Sequence, residues 1–163
     1  RMNDPVLFLE HKGLYRQGFA ASLEPDEKYL LPFGKGAMVN NGNDLTIITW
    51  GALVQKSIEA VRNTAVSADI IDLRTIYPLD MECILKSIKK TSRLLIVHED
   101  NLTGGFGAEI SARLAEEGFE FLDAPIKRIA SLDAPVAYSN ILENELLVQT
   151  SWIESGIKEL ISF

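Results

Sequence analysis

From residue 45 to the end, short runs of β-branched and aliphatic residues alternate with longer segments of helical repeat, and this alternation leaves few folds open. Residues 45–50 (LTIITW) are β-branched and aromatic, as a strand requires. The next segment sets Val54, Ile58, Val61 and Ala65 on one helical face. Residues 68–73 form a second strand pattern, and Asp80 is placed to cap a helix presenting Met81, Ile84, Leu85 and Ile88 on one side. Residues 93–97 give a third strand, with Phe106, Ile110 and Leu114 on the helix that follows. Residues 126–130 give a fourth strand. A last helix opens on Ser151 and Glu154, spaced as a capping box, and carries Ile153, Ile157, Leu160 and Ile161 inward. Strands separated by single helices predict an α/β three-layer sandwich, a mostly parallel sheet covered by helices on both faces.

The first 44 residues have another texture. Gly, Pro and Asn cluster at 32–36 and 40–44, and only Val6, Leu7, Phe8 and Leu9 read as a buried strand. An irregular stretch this long is unusual inside one compact domain, so residues 1–30 are expected to be the tail of a preceding domain, 31–44 a linker, and 45–163 the domain proper. The opening Arg1-Met2 fits a piece of a longer chain.

Charge narrows the partners. The formal net charge is −7 with no cluster of Lys and Arg, which argues against nucleic-acid phosphates. No apolar run reaches the roughly 18 residues of a membrane span. Cys83 is the one cysteine, which excludes an internal disulfide and a cysteine-based zinc site and fits a reducing cytoplasm or organelle matrix.

Three constellations could carry chemistry. Thr103-Gly104-Gly105-Phe106-Gly107 follows a strand and opens a helix, where backbone amides can cradle a phosphate. A dinucleotide fingerprint begun at Gly105 would need a small residue where Ile110 stands, so tight turning and close helix–strand packing are the favoured roles of Gly104, Gly105 and Gly107. His98 and Glu99 fall at the end of the third strand, the edge where ligands and interfaces gather in open sheets. Neighbouring strand residues point to opposite faces, so the two do not chelate one metal; a hydrogen-bonded His98 at a subunit interface is favoured over a catalytic one. Arg74 could grip a carboxylate or phosphate, or pin its own loop through Asp72 or Asp80. No nucleophile elbow surrounds any serine. The residues do not assemble a self-sufficient active site.

Several of these motifs together resemble one family. Residues 31–36 (LPFGKG) and 42–51 (GNDLTIITWG), then 72–80 (DLRTIYPLD), 98–110 with His98-Glu99-Asp100 and the glycine turn, and 122–128 (LDAPIKR) with Asp133-Ala134-Pro135 look, in order, like the transketolase C-terminal-type domain. Within that superfamily the Asp-Ala-Pro-Ile segment is similar to the β subunit of thiamine-diphosphate-dependent 2-oxo acid dehydrogenases. Residues 6–12 and 14–16 look like the end of that subunit's pyrimidine-binding domain and lean toward the branched-chain (2-oxoisovalerate) type. Transketolase and deoxyxylulose-phosphate synthase, which use the same domain, are the nearest alternatives; a free-standing nucleotide-binding or regulatory module is another. Where the family often has a more Pro-rich stretch, this chain has residues 136–140 (VAYSN).

The resemblance implies a division of labour. Thiamine diphosphate and Mg2+ would sit in the parent enzyme between domains upstream of this one or on another chain, and the cofactor carries the hard chemistry. No residue here inherits a catalytic, cofactor or metal role. The domain would support the β–β′ homodimer contact and the α subunit, with His98, Glu99, Gly104, Gly105 and Gly107 as interface candidates. It would also dock the basic subunit-binding domain of the acyltransferase core. Candidates for docking are Glu143, Glu145, Glu154, Glu159 and Phe163 with its carboxylate, set against Lys158 alone in that stretch.

Overall fold

The computed structural model describes residue 3 and residues 5–163; Arg1 and Met2 lie outside the described residues. Strands β1 (Ala37–Asn40), β2 (Leu45–Thr49), β3 (Ala68–Asp72), β4 (Leu94–Asn101) and β5 (Lys127–Ser131) form one sheet in the order β1-β3-β2-β4-β5. All pairings are parallel except β1 with β3. Five helices complete the layers: α1 (Leu53–Thr64), α2 (Met81–Thr91), α3 (Phe106–Glu117), α4 (Asn140–Leu146) and α5 (Thr150–Ile161).

The central strands are apolar on both faces because both are covered. Leu45, Ile47, Ile70, Leu95 and Val97 pack with Leu53, Val61, Ile153, Ile157 and Leu160 of α1 and α5. Ile48, Ile71, Leu94 and Ile96 pack with Ile84, Ile88, Ile110 and Leu114 of α2 and α3. The expected α/β sandwich is therefore the observed one. Asp80 caps α2, accepting a 3.2 Å hydrogen bond from the Cys83 amide, as its position before the apolar repeat predicts.

Four local expectations are corrected. Residues 6–9 form no strand; Leu7 and Leu9 are each 91% exposed, since no strand lies beside them among the described residues. Residues 37–40, expected within a linker, are instead an antiparallel edge strand. The Ser151–Glu154 capping box does not form: α5 starts a residue earlier, and its entry is held by tertiary bonds. The Gln149 amide donates to the Asn144 and Leu147 carbonyls, and the Thr150 hydroxyl donates to Glu59 of α1. Ile161, expected inward on α5, is exposed as the last residue of the helix.

A buried polar network anchors the amino edge of the sheet. Asp69 is 1% exposed and accepts from Lys90 Nζ (2.7 Å), Ser87 Oγ (2.6 Å) and the Gly42 amide (2.8 Å). Burial pushes its carboxyl up, but these three donors together hold it below the usual range. The network ties the residues after β1 to β3 and α2, which explains why that segment joins the sheet.

Candidate functional site at the carboxyl edge of the sheet

β2 and β4 are neighbours whose onward connections leave in opposite directions, toward β3 and β5 respectively. In open α/β sheets the crevice at such a switch point is where ligands bind. Here it is filled from within. Trp50, just past β2, and His98, on β4, stack with ring centroids 5.5 Å apart and planes 2° from parallel. His98 is fully buried, and neither ring nitrogen has a hydrogen-bond partner among the described residues. Burial lowers its tendency to protonate; the charge and the main chain of Asp100 pull the other way, and the Arg128 charge reinforces burial.

The glycine turn closes over that ring. A Cβ on Gly107 would collide with the His98 ring, and one on Gly105 with the Asn101 carbonyl and, at 2.8 Å, with the His98 ring. Gly105 has an ordinary φ of −68°, so close packing is its constraint. Gly104, at φ +78° and facing open space, supplies the left-handed turn. The turn is strapped to β5 and to Asp133 just beyond it. The Thr103 amide and hydroxyl both donate to Asp133 (2.9 and 2.6 Å), the Leu102 amide donates to the Ser131 carbonyl (3.1 Å), and Arg128 donates to the Leu102 carbonyl (2.8 Å). Those two Thr103 donors hold the Asp133 carboxyl below its usual range.

Alternation sends Glu99 to the other face. It meets His11 Nε2 at 2.9 Å, fastening residues 11–19 over a cleft of about 560 Å3 against α1. His98 and Glu99 are thus separated as expected, but His98 is neither hydrogen-bonded nor at the surface of this chain. Glu99 and Gly104 are the interface candidates with accessible surface.

Arg74 pins its own loop. It sits at φ +56° with its amide on Asp72 Oδ1 (3.1 Å) and its guanidinium 3.9 Å from Asp72 Oδ2. Asp80 is taken up instead by Lys35 (3.7 Å), the Gly36 amide (3.0 Å) and the α2 cap. Burial outweighs the opposing Arg74 amide and charge and leaves the Asp72 carboxyl raised.

The acidic docking candidates are unequal. Glu159 is ion-paired with Lys127 of β5 (2.5 Å), and Glu154 accepts from Asn63 of α1 (2.7 Å). Counting charges along the last segment alone missed Lys127, because β5 lies beside α5 in space and not in sequence. Glu145 is exposed and Glu143 half-buried on α4, next to exposed Tyr138, Ile141 and Leu142. Phe163 is 64% exposed. Sequence reasoning also passed over Trp50, His11, Arg128 and Asp133; each acts through a partner distant in sequence, and only the Asp133-Ala-Pro motif hinted at one.

These residues do not fit thiamine diphosphate or its metal. The one glycine-rich helix start has its backbone packed against His98 and Asn101, leaving no cradle for a diphosphate. Among the described residues no three His, Cys, Asp or Glu side chains converge as metal ligands.

The fold is thus a mostly parallel α/β sheet whose switch-point crevice is filled by its own Trp50 and His98 rings. The chain belongs to the family described as "Transketolase, C-terminal domain", which matches residues 34–153. It is 42% identical over 98% of its length to the mitochondrial "Pyruvate dehydrogenase E1 component subunit beta" of Dictyostelium discoideum, covering 46% of that protein. It is 38% identical over its whole length to "2-oxoisovalerate dehydrogenase subunit beta" of Bacillus subtilis, covering 50% of it, and 39% identical to a pyruvate dehydrogenase β subunit of Staphylococcus aureus, again covering 50%. The chain thus spans about half the length of the curated relatives it matches. Among solved structures it is similar to a "Split gene transketolase, inactive beta4 tetramer", with TM-score 0.70 at 19% identity over 84% of this chain and 44% of that one, a likeness of fold.

Proposed function

We propose that this chain is the C-terminal assembly domain of the β subunit, or β region, of a thiamine-diphosphate-dependent 2-oxo acid dehydrogenase. The parent enzyme would decarboxylate a 2-oxo acid oxidatively and pass the acyl group to a lipoyl arm. One observation supports this above transketolase or deoxyxylulose-phosphate synthase. Similarity to the β subunits covers the whole chain, including residues 1–33 outside the transketolase-type match. Of these, residues 1–30 read as the tail of a pyrimidine-binding domain, which would hold the cofactor with Mg2+ and an α subunit. The remaining roles are to bear on a second β subunit through the Glu99–Gly104 edge and to dock the acyltransferase core through the acidic, apolar α4 region and the chain end. Bacterial cytoplasm or a mitochondrial matrix suits such an enzyme, as the relatives' names suggest.

Of the two substrate types, the opening residues favour 2-oxoisovalerate, although both types occur among the relatives. The test is an assay of the full-length β polypeptide carrying this chain, reconstituted with its α subunit, thiamine diphosphate and Mg2+. Acceptor-linked decarboxylation of 2-oxoisovalerate in preference to pyruvate is expected. Preference for pyruvate would overturn the substrate choice alone, and ketol transfer between sugar phosphates would overturn the whole reading.

A further inference from the structure

The switch-point crevice holds an imidazole in an uncommon setting. His98 is shut between the Trp50 ring on one side and the glycine backbone of the 104–107 turn on the other. Its polar nitrogens are unpaired among the described residues, though the ring is fully buried. A neutral imidazole tolerates this at modest cost; an imidazolium does not, because a buried charge without a partner is strongly disfavoured. The start of α3 makes matters worse for a cation, since the positive end of the helix dipole, with Gly105 as its N-cap, abuts the ring.

We propose that His98 is an acid-sensitive latch: neutral, it holds the 101–105 turn and the first turn of α3 closed, and its protonation releases that segment while the rest of the sheet stays folded. The charged groups acting on the ring are Asp100 on its own strand and Arg128 from β5; β2 presents the Trp50 ring, and α3 presents glycine backbone. Asp100 favours protonation, but burial together with Arg128 outweighs it. The segment is suited to open locally. The hydrogen bonds of Thr103 and Arg128 that tie it down lie at exposed positions. The ladder between β4 and β5 is already interrupted between Val97 and Asn101, so release need not unzip the strand.

The pH window follows from linkage. His98 binds its proton less readily when closed than when open, where the ordinary value of 6.5 applies. Above pH 6.5 the latch is fully effective; as pH falls below it, the closed form loses up to tenfold in population per pH unit, until the closed ring itself titrates. The Asp133 strap weakens only below the ordinary carboxylate value of 3.8, so the two effects separate.

The chain has two histidines, His11 and His98, so ring resonances can be assigned with a His11→Gln variant. The experiment follows both rings by NMR from pH 7.5 to pH 4.5, on the order of three units around the free-histidine value, alongside amide exchange corrected for its intrinsic pH dependence. The account predicts that His98, the ring that remains in the His11→Gln variant, protonates only below its ordinary value of 6.5 and together with opening of the segment. It predicts exchange at residues 105–108 rising up to tenfold per unit relative to residues 46–48. A His98→Gln variant should show no such pH-dependent rise. Free titration of His98 near its ordinary value, or a flat exchange ratio in the unmutated protein, would overturn the proposal whether or not the variant folds.

Discussion

Gly107 lies so close to His98 that a β-carbon on the glycine would occupy the space of the imidazole's Nε2 and Cδ2 atoms. Because His98 is itself wedged against Trp50, the ring has nowhere to retreat. Gly107→Ala should therefore destabilise the chain by roughly 1–3 kcal/mol, the usual cost of overpacking. Gly104→Ala, which meets open space but sits at φ +78°, should cost about 1 kcal/mol. Urea unfolding of both variants checks the order; equal costs would mean that the ring moves aside.

The Asp69 network should be legible in acid. Its carboxyl titrates lower in the folded chain than at its free value of 3.8, so its stabilisation is complete above about pH 4 and is lost as pH falls below that. Asp69→Asn should cost roughly 1–3 kcal/mol at pH 7, since Lys90 and Ser87 lose a charged acceptor. The difference between the two proteins should narrow by pH 3. A constant difference across that range would assign the cost to packing.

The layers and the helix faces were readable because β-branched runs and a 3.6-residue repeat each act locally, and because Asp80 stands just where a cap is needed. What was not readable depended on pairing at a distance. Strand β1 has a weak pattern of its own and exists through β3 and the Asp69 network. Residues 6–9 are apolar enough for a strand, yet hydrogen bonds need a neighbour, and none lies beside them among the described residues. His98 was placed correctly at the carboxyl edge, but its solitude came from Trp50 and two glycines folding over it, which no spacing reveals.

Residues 5–35 should exchange amide hydrogens faster than residues 45–163, because that segment is almost wholly exposed and forms no strand or α-helix. Its side-chain link to the sheet edge is His11 to Glu99. Glu99→Gln should accelerate exchange at residues 11–20 without changing the Asp69 region. Equal protection of both segments would mean that residues 5–35 are part of the core.

Calorimetric titration of this chain with thiamine diphosphate and Mg2+ should give no saturable heat, since the glycine turn is packed shut and no acidic cluster offers a metal site among the described residues. Binding in the micromolar range would place a cofactor pocket here after all.

The assembly role proposed for this domain is tested most directly at the acidic α4 region. Glu143 and Glu145 sit beside exposed Tyr138, Ile141 and Leu142, whereas the charge of Glu159 is already matched by Lys127. Complementary charge acts mainly on the rate of encounter and is screened by salt. Stopped-flow association of the full-length enzyme with its acyltransferase core should slow when Glu143 and Glu145 are both changed to Lys. The salt dependence should flatten, Glu159→Lys should have a smaller effect, and decarboxylation with an artificial acceptor should be unchanged. Undiminished association at low salt, or lost decarboxylation with intact association, would contradict the account.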